Sequence, residues 1–121
     1  MAYPRQFPAS WKAFTVRIAD VSTQDNEWVH PNIRGKLRAV SSVLKGAITG
    51  ADSTITVEIG GTAVTGASLT IAYDGSAAGD IDTAFPTALN SFTEDQGLNV
   101  KTNGNSSTAM PITVTLWVEP T

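Results

Sequence analysis

Residues 71 to 82, Ile-Ala-Tyr-Asp-Gly-Ser-Ala-Ala-Gly-Asp-Ile-Asp, gather three carboxylates, Asp74, Asp80 and Asp82, and two glycines within nine residues. Calcium takes roughly six to eight hard oxygens, commonly carboxylates at alternating positions of a compact loop. Here the spacing is six and then two, with apolar Ala77-Ala78 between, and no Glu closes the run. The EF-hand pattern therefore fails, and only a calcium site drawing further ligands from distant loops stays open. A phosphate cradle needs a helix after the glycines, and Thr83 to Phe85 is a poor start for one. The simpler reading is conformational. Asp74-Gly75 is a turn pair, Gly79 relieves a second bend, and Asp80 and Asp82 accept hydrogen bonds from nearby backbone N–H groups. No metal and no cofactor is expected.

Other chemistry is thinly represented. The chain has one histidine, His30, in Glu27-Trp28-Val29-His30-Pro31. One histidine suffices for a nucleophile–base arrangement, but no Gly-x-Ser-x-Gly elbow marks an activated serine, so His30 reads as a turn residue before proline. Glutamates are sparse, and Glu58 and Glu119 fall on polar strand faces where solvation is the default. There is no phosphate-binding loop, dinucleotide fingerprint or His/carboxylate metal spacing. Asn105-Ser106-Ser107 has the form of a glycosylation acceptor, but no secretion signal accompanies it. The expectation is a protein that is not an enzyme.

The elements that position these residues belong to one domain of 121 residues. Without cysteine it has neither disulfides nor a thiol nucleophile. Met1 to Pro8 holds no apolar signal core, and no segment approaches the ~20 apolar residues of a membrane span. A soluble chain made in the cytoplasm is expected, with neither membrane nor nucleic acid as partner. Charge is uneven: residues 1–45 carry seven Lys and Arg against three Asp and Glu, a net of +4, and residues 46–121 carry one against eight, a net of −7. One end can thus be steered towards an acidic surface, although no basic–aromatic nucleic-acid module is present.

Threonine, alanine, valine and glycine favour strands and turns. Ile112, Val114, Leu116 and Val118 alternate with Thr113, Thr115, Trp117 and Glu119, a half-buried strand whose polar face carries one aromatic. An exposed Trp117 there would suit contact with another chain. Ile55, Val57 and Ile59 repeat the pattern ahead of a Gly60-Gly61 turn and a return strand. Phe14 to Ala19, Ile33 to Leu44, Ala67 to Tyr73 and Leu98 to Thr102 add strands, about eight in all at sandwich-like spacing. Leu37, Val40 and Leu44 also fit a helical face, and Thr83 to Phe92 has room for a helical turn limited by Pro86; strand is preferred for Ile33 to Leu44. The fold class is all-β, an antiparallel β-sandwich or jelly-roll over residues 12–121, with residues 1–11 as an extended N-terminal arm. Tyr3, Pro4, Phe7, Pro8 and Trp11 make that arm aromatic, with something to bury against a neighbouring subunit.

Residues 46 to 118 have a further character as a unit. Gly46-Ala47-Ile48-Thr49, Ala51-Asp52-Ser53-Thr54-Ile55-Thr56-Val57, Leu69-Thr70-Ile71 and Gly75-Ser76-Ala77-Ala78-Gly79-Asp80-Ile81-Asp82 lead it. Pro86-Thr87, Asn90, Gly97-Leu98-Asn99-Val100, Thr102-Asn103-Gly104 and Pro111-Ile112-Thr113-Val114-Thr115-Leu116 complete it. This pattern resembles the head decoration (cement) proteins of tailed bacteriophages and related small virion β-domains. The resemblance implies a sandwich or jelly-roll, a homotrimer, and attachment to the outside of an assembled capsid whose major capsid protein is the partner. It transfers no catalytic residue. Residues 1–45 carry no part of the match, and their charge and aromatics suggest a gripping role. Tyr3, Arg5, Phe7, Trp11, Lys12, Arg34, Lys36, Arg38 and Trp117 are the expected capsid or subunit contacts. The alternative is a tail-fibre or receptor-binding β-domain of the same kind of particle, with Trp28, Tyr73 and Trp117 as candidate glycan contacts.

Overall fold

The computed structural model describes residues 7–121. Among these residues the ordered elements are all strands: β1 (Lys12–Ile18), β2 (Asp25–Val29), β3 (Gly35–Leu44), β4 (Ser53–Ile59), β5 (Thr62–Ala63), β6 (Leu69–Ile71), β7 (Ile81–Ala84), β8 (Ser91–Phe92), β9 (Leu98–Thr102) and β10 (Ile112–Pro120). They form two antiparallel sheets packed face to face, a β-sandwich. Sheet A runs β1-β10-β3-β7 with β8 also on β3, and sheet B runs β2-β9-β4-β5 with β6 also on β4.

Alternation explains the layers. In β10 and β4 every second side chain is buried, and the same holds on β9 at Leu98, Val100 and Thr102. Ile18, Leu37, Val40 and Leu116 of sheet A meet Ile55, Val57, Leu98 and Val100 of sheet B in one core. Each such side chain, fully removed from water, contributes up to about 1.5–3 kcal/mol before conformational entropy is set against it. Gly60 and Gly61, at φ 59° and 83°, make the left-handed two-residue turn that joins β4 to β5.

The helical spacing of Leu37, Val40 and Leu44 has a strand explanation. The register between β10 and β3 shifts between Trp117 and Val118, which pair with Ala39 and Leu37, and Arg38 is the extra residue. This bulge lets Leu37 and Val40, three apart, point into the same core. Nearby, Asn90 stands in for a missing ladder partner. Its carbonyl accepts the Leu37 N–H at 2.8 Å, and its Nδ2 donates to the Leu37 carbonyl at 2.8 Å. Residues 83–92 form no helical turn: Ala84 ends β7, Pro86 is buried, and Leu89 takes a left-handed φ of 56° before β8. Pro86 removes a donor, and the two bonds to Leu37 hold Asn90 against β3.

The outermost strands carry their own protection. Register with Ser42 puts Asp82 of β7 on the inner row of sheet A, and register with Val100 puts Glu27 of β2 on the inner row of sheet B. An inward carboxylate makes pairing with a foreign strand costly. Burial, and then the neighbouring Asp80, raise the Asp82 carboxyl above the ordinary aspartate range. Its ionised form therefore opposes folding, and that penalty disappears as pH falls through the raised pKa. Asp82→Asn is expected to stabilise the fold at pH 7 by a few tenths of a kcal/mol, since the group is largely screened by solvent. The advantage should shrink on acidification. Paired thermal melts at neutral and acidic pH test this; an equal or growing advantage at low pH would refute it.

Candidate functional site

The side chains that alternation turns outward on sheet A lie in register across four strands. Thr15, Thr115, Ser41 and Thr83 form one row, and Arg17, Thr113, Val43 and Ile81 form the next. Val43 is 45 % exposed and Ile81 68 %. On the other side of the hydroxyl row stand Ala13, Trp117 and Ala39, again in register.

Trp117 is the floor of an aromatic cluster. The Phe7 ring stands edge-on to it at 4.9 Å, lies 5.0 Å from Trp11 and meets Phe85 edge-on at 6.3 Å. These separations are those of favourable aromatic pairs. Residues 7–11 are held in place by this cluster and by a turn in which the Trp11 N–H donates to the Pro8 carbonyl at 3.1 Å. The described part of the arm therefore folds over its own sheet. Trp117, expected to be exposed for another chain, is half-buried beneath Phe7 because the arm supplies the apolar cover first.

The other expected contact residues divide. Lys36 pairs in register with Glu119 and shares the outer face with Trp117. Arg38, thrown outward by the bulge, donates from Nε to Glu119 at 2.7 Å and holds a 2.6 Å ion pair with it. Its charge is thus largely offset. Lys12 lies on the inner row of the edge strand β1, opposite Val118, and Arg34 lies in the loop before β3. Tyr3 and Arg5 lie outside the described residues. The cluster's fourth ring, Phe85, was not anticipated. Its signal is the outward parity of Ile81 and Thr83 carried one step further, hidden by the competing helical reading of that segment.

Asp74, Asp80 and Asp82 border one open cleft of about 200 Å³ together with Leu44, Ile71 and Ser76. Yet no three His, Cys, Asp or Glu side chains converge on a point among the described residues. Residues 72–80 are the crossover between the sheets, whereas Asp82, expected in that crossover, lies in β7. Tyr73 and Ser76 close the first bend, with the Ser76 N–H donating to the Tyr73 carbonyl at 3.3 Å. Asp80 accepts from the Ala77 N–H at 2.8 Å, and the Gly79 N–H donates to the Leu44 carbonyl at 2.7 Å. His30 Nε2 is 2.8 Å from the Glu94 carbonyl, a loop-to-loop tie. Glu58 is bonded to Lys101 at 3.1 Å.

A polar staple outside the anticipated set closes one end of the sandwich. Asp20 accepts from the Ser22 hydroxyl at 2.6 Å, the Ser22 N–H at 2.8 Å and the Met110 N–H at 3.3 Å. The Ser22 hydroxyl, then its backbone N–H, hold the Asp20 carboxyl below the usual aspartate range. The local sequence Asp20-Val21-Ser22-Thr23 is a turn signal from which the bonds to Ser22 were legible, whereas the bond from Met110, 90 residues away, was not. No protein-family model matches this chain, and no curated protein shows significant similarity to it.

Proposed function

We propose that this chain is a structural virion protein, a decoration subunit that binds the outer surface of an assembled phage head through the outer face of sheet A. The observation that carries the reading is the shape and chemistry of that face. It is a broad four-stranded surface with hydroxyls across its middle, Val43 and Ile81 exposed on one side and an aromatic cluster on the other. Such a surface suits a flat macromolecular partner better than a small molecule, which needs an enclosing pocket. The resemblance of residues 46–118 to head decoration proteins and the basic character of residues 1–45 support the same reading. The Lys36 ammonium and the Arg17 guanidinium on that face would meet acidic groups of the shell.

A subunit of this kind stabilises by mass action, binding the assembled shell and not its dissociated parts, and self-association into trimers multiplies a modest contact by effective concentration. The test mixes the purified chain with empty expanded heads and counts copies retained after sedimentation. Native protein is expected to saturate the shell at hundreds of copies. The double substitution Val43→Asp with Ile81→Asp is expected to weaken occupancy by about a hundredfold, since burying two unpaired charges at an interface costs on the order of 3 kcal/mol. Its melting temperature should fall modestly, because the two new carboxylates face each other across β3 and β7, and folded protein is therefore verified before copies are counted. Unchanged occupancy, or no binding by the native chain, overturns the proposal.

A further inference from the structure

The outer face of sheet B carries a second surface, independent of the shell-docking reading. Register sets Trp28, Asn99 and Glu58 in one row and Asn26, Lys101 and Thr56 in the next, about 7 Å along the strands. Trp28 is 66 % exposed. Its ring edge rests on the backbone at Gly97, with Cε3 3.5 Å from where a Cβ would stand, and the remainder of the indole is open. A single exposed ring is ordinary on a protein surface. The group beside it is not. Asn99 is outward by alternation yet only 6 % exposed, and its Oδ1 finds no hydrogen-bond partner among the described residues. Its Nδ2 donates to Asn26 Oδ1 at 3.3 Å. A buried amide oxygen left without a donor costs about 1–3 kcal/mol, which a ligand hydroxyl would recover.

An open cleft of about 270 Å³ continues this face, lined by Gln24, Thr54, Thr56, Lys101, Thr102 and Asn103. Lys101 and Glu58 neutralise one another at 3.1 Å, so the face has no uncompensated charge from this pair to select a phosphate or sulfate. An indole platform, an orphan amide oxygen and a cleft of hydroxyls and amides, spread over two rows, match a ligand with apolar C–H faces and many hydroxyls.

We infer that the outer face of sheet B binds a neutral oligosaccharide, one sugar ring stacking on Trp28 and the next lying along the Thr56–Lys101 row. The Asn99 amide, opposite Trp28 in register, turns its Oδ1 to a hydroxyl of the same sugar. The test titrates the full chain with cellohexaose, maltohexaose and N-acetylchitohexaose, following the Trp28 indole and Asn99 side-chain amide resonances. At least one sugar is expected to saturate at millimolar concentration or below, moving both signals. Trp28→Ala should weaken that binding by about tenfold or more, equivalent to roughly 1.4 kcal/mol, and Trp28→Phe by less. Asn26→Ala supplies a second variant if the first is unstable, and it should also weaken binding. Occupancy on capsids should not change in any of them. No saturable binding by the three sugars, or binding that survives loss of the Trp28 ring, would overturn the inference.

Discussion

Trp117→Ala is expected to lower the free energy of unfolding by about 2–3 kcal/mol. Truncating a fully buried tryptophan costs about 3–5 kcal/mol, and Trp117 is only half-buried, so the lower value applies. The loss has two parts. The ring covers sheet A between Ala13 and Ala39, whose small side chains leave room for it. It also receives the edge of Phe7, a contact worth about 0.5–1.5 kcal/mol beyond the area buried. Phe7→Ala should cost about 1–2 kcal/mol, and the double substitution should show a coupling near 1 kcal/mol. Denaturant unfolding of the four proteins measures this. A coupling indistinguishable from zero would mean that Phe7 does not sit on Trp117 in solution.

Gly104→Ala should be strongly damaging, costing about 3 kcal/mol or more. Two effects add. The backbone there has φ 73°, which costs an L-residue about 1 kcal/mol. A Cβ would also overlap the Gln24 backbone nitrogen and stand 2.6 Å from the Thr23 carbonyl carbon. Backbone cannot swing aside as a side chain can, so the 20–24 loop and its Asp20 staple must shift. Gly75→Ala is the matched control. Its φ is 75°, but no atom lies within 4 Å of the added carbon, so only the conformational part, about 1 kcal/mol, should appear. Equal melting temperatures for the two variants would show that the contact between residues 23–24 and 104 is not close.

The legible parts of the fold were those where alternation met no interruption. β4, β9 and β10 follow their patterns almost to the residue, because one face of each is buried and period two leaves no second register. β2, β7 and β8 were missed, β7 because Ile81–Ala84 falls where the sequence reads as a crossover running into a helical turn. β2 carries Asp25 and Glu27 on its inner row, so its polarity hides its strand character. β8 is two residues long and exists through its pairing with Gly35 and Lys36. The Leu37–Leu44 ambiguity came from a bulge, which local sequence cannot distinguish from a helical turn.

By itself the sequence determined the all-β class, the turns at Gly60-Gly61 and Asp74-Gly75, and the aromatic character of the residues leading into β1. These follow from local steric and hydrophobic preferences that each segment expresses without its neighbours. Only the tertiary structure decided what the aromatics do. Phe7 and Trp117 are more than a hundred residues apart, and it is the pairing of β1 with β10 that brings them within 4.9 Å. Other long-range pairings, β10 with β3 and β2 with β9, gave Arg38 to Glu119 and set Trp28 beside a buried Asn99. Side-chain chemistry is written in the chain, but which side chains share a face depends on strand order, and strand order is settled by burial of the whole core at once.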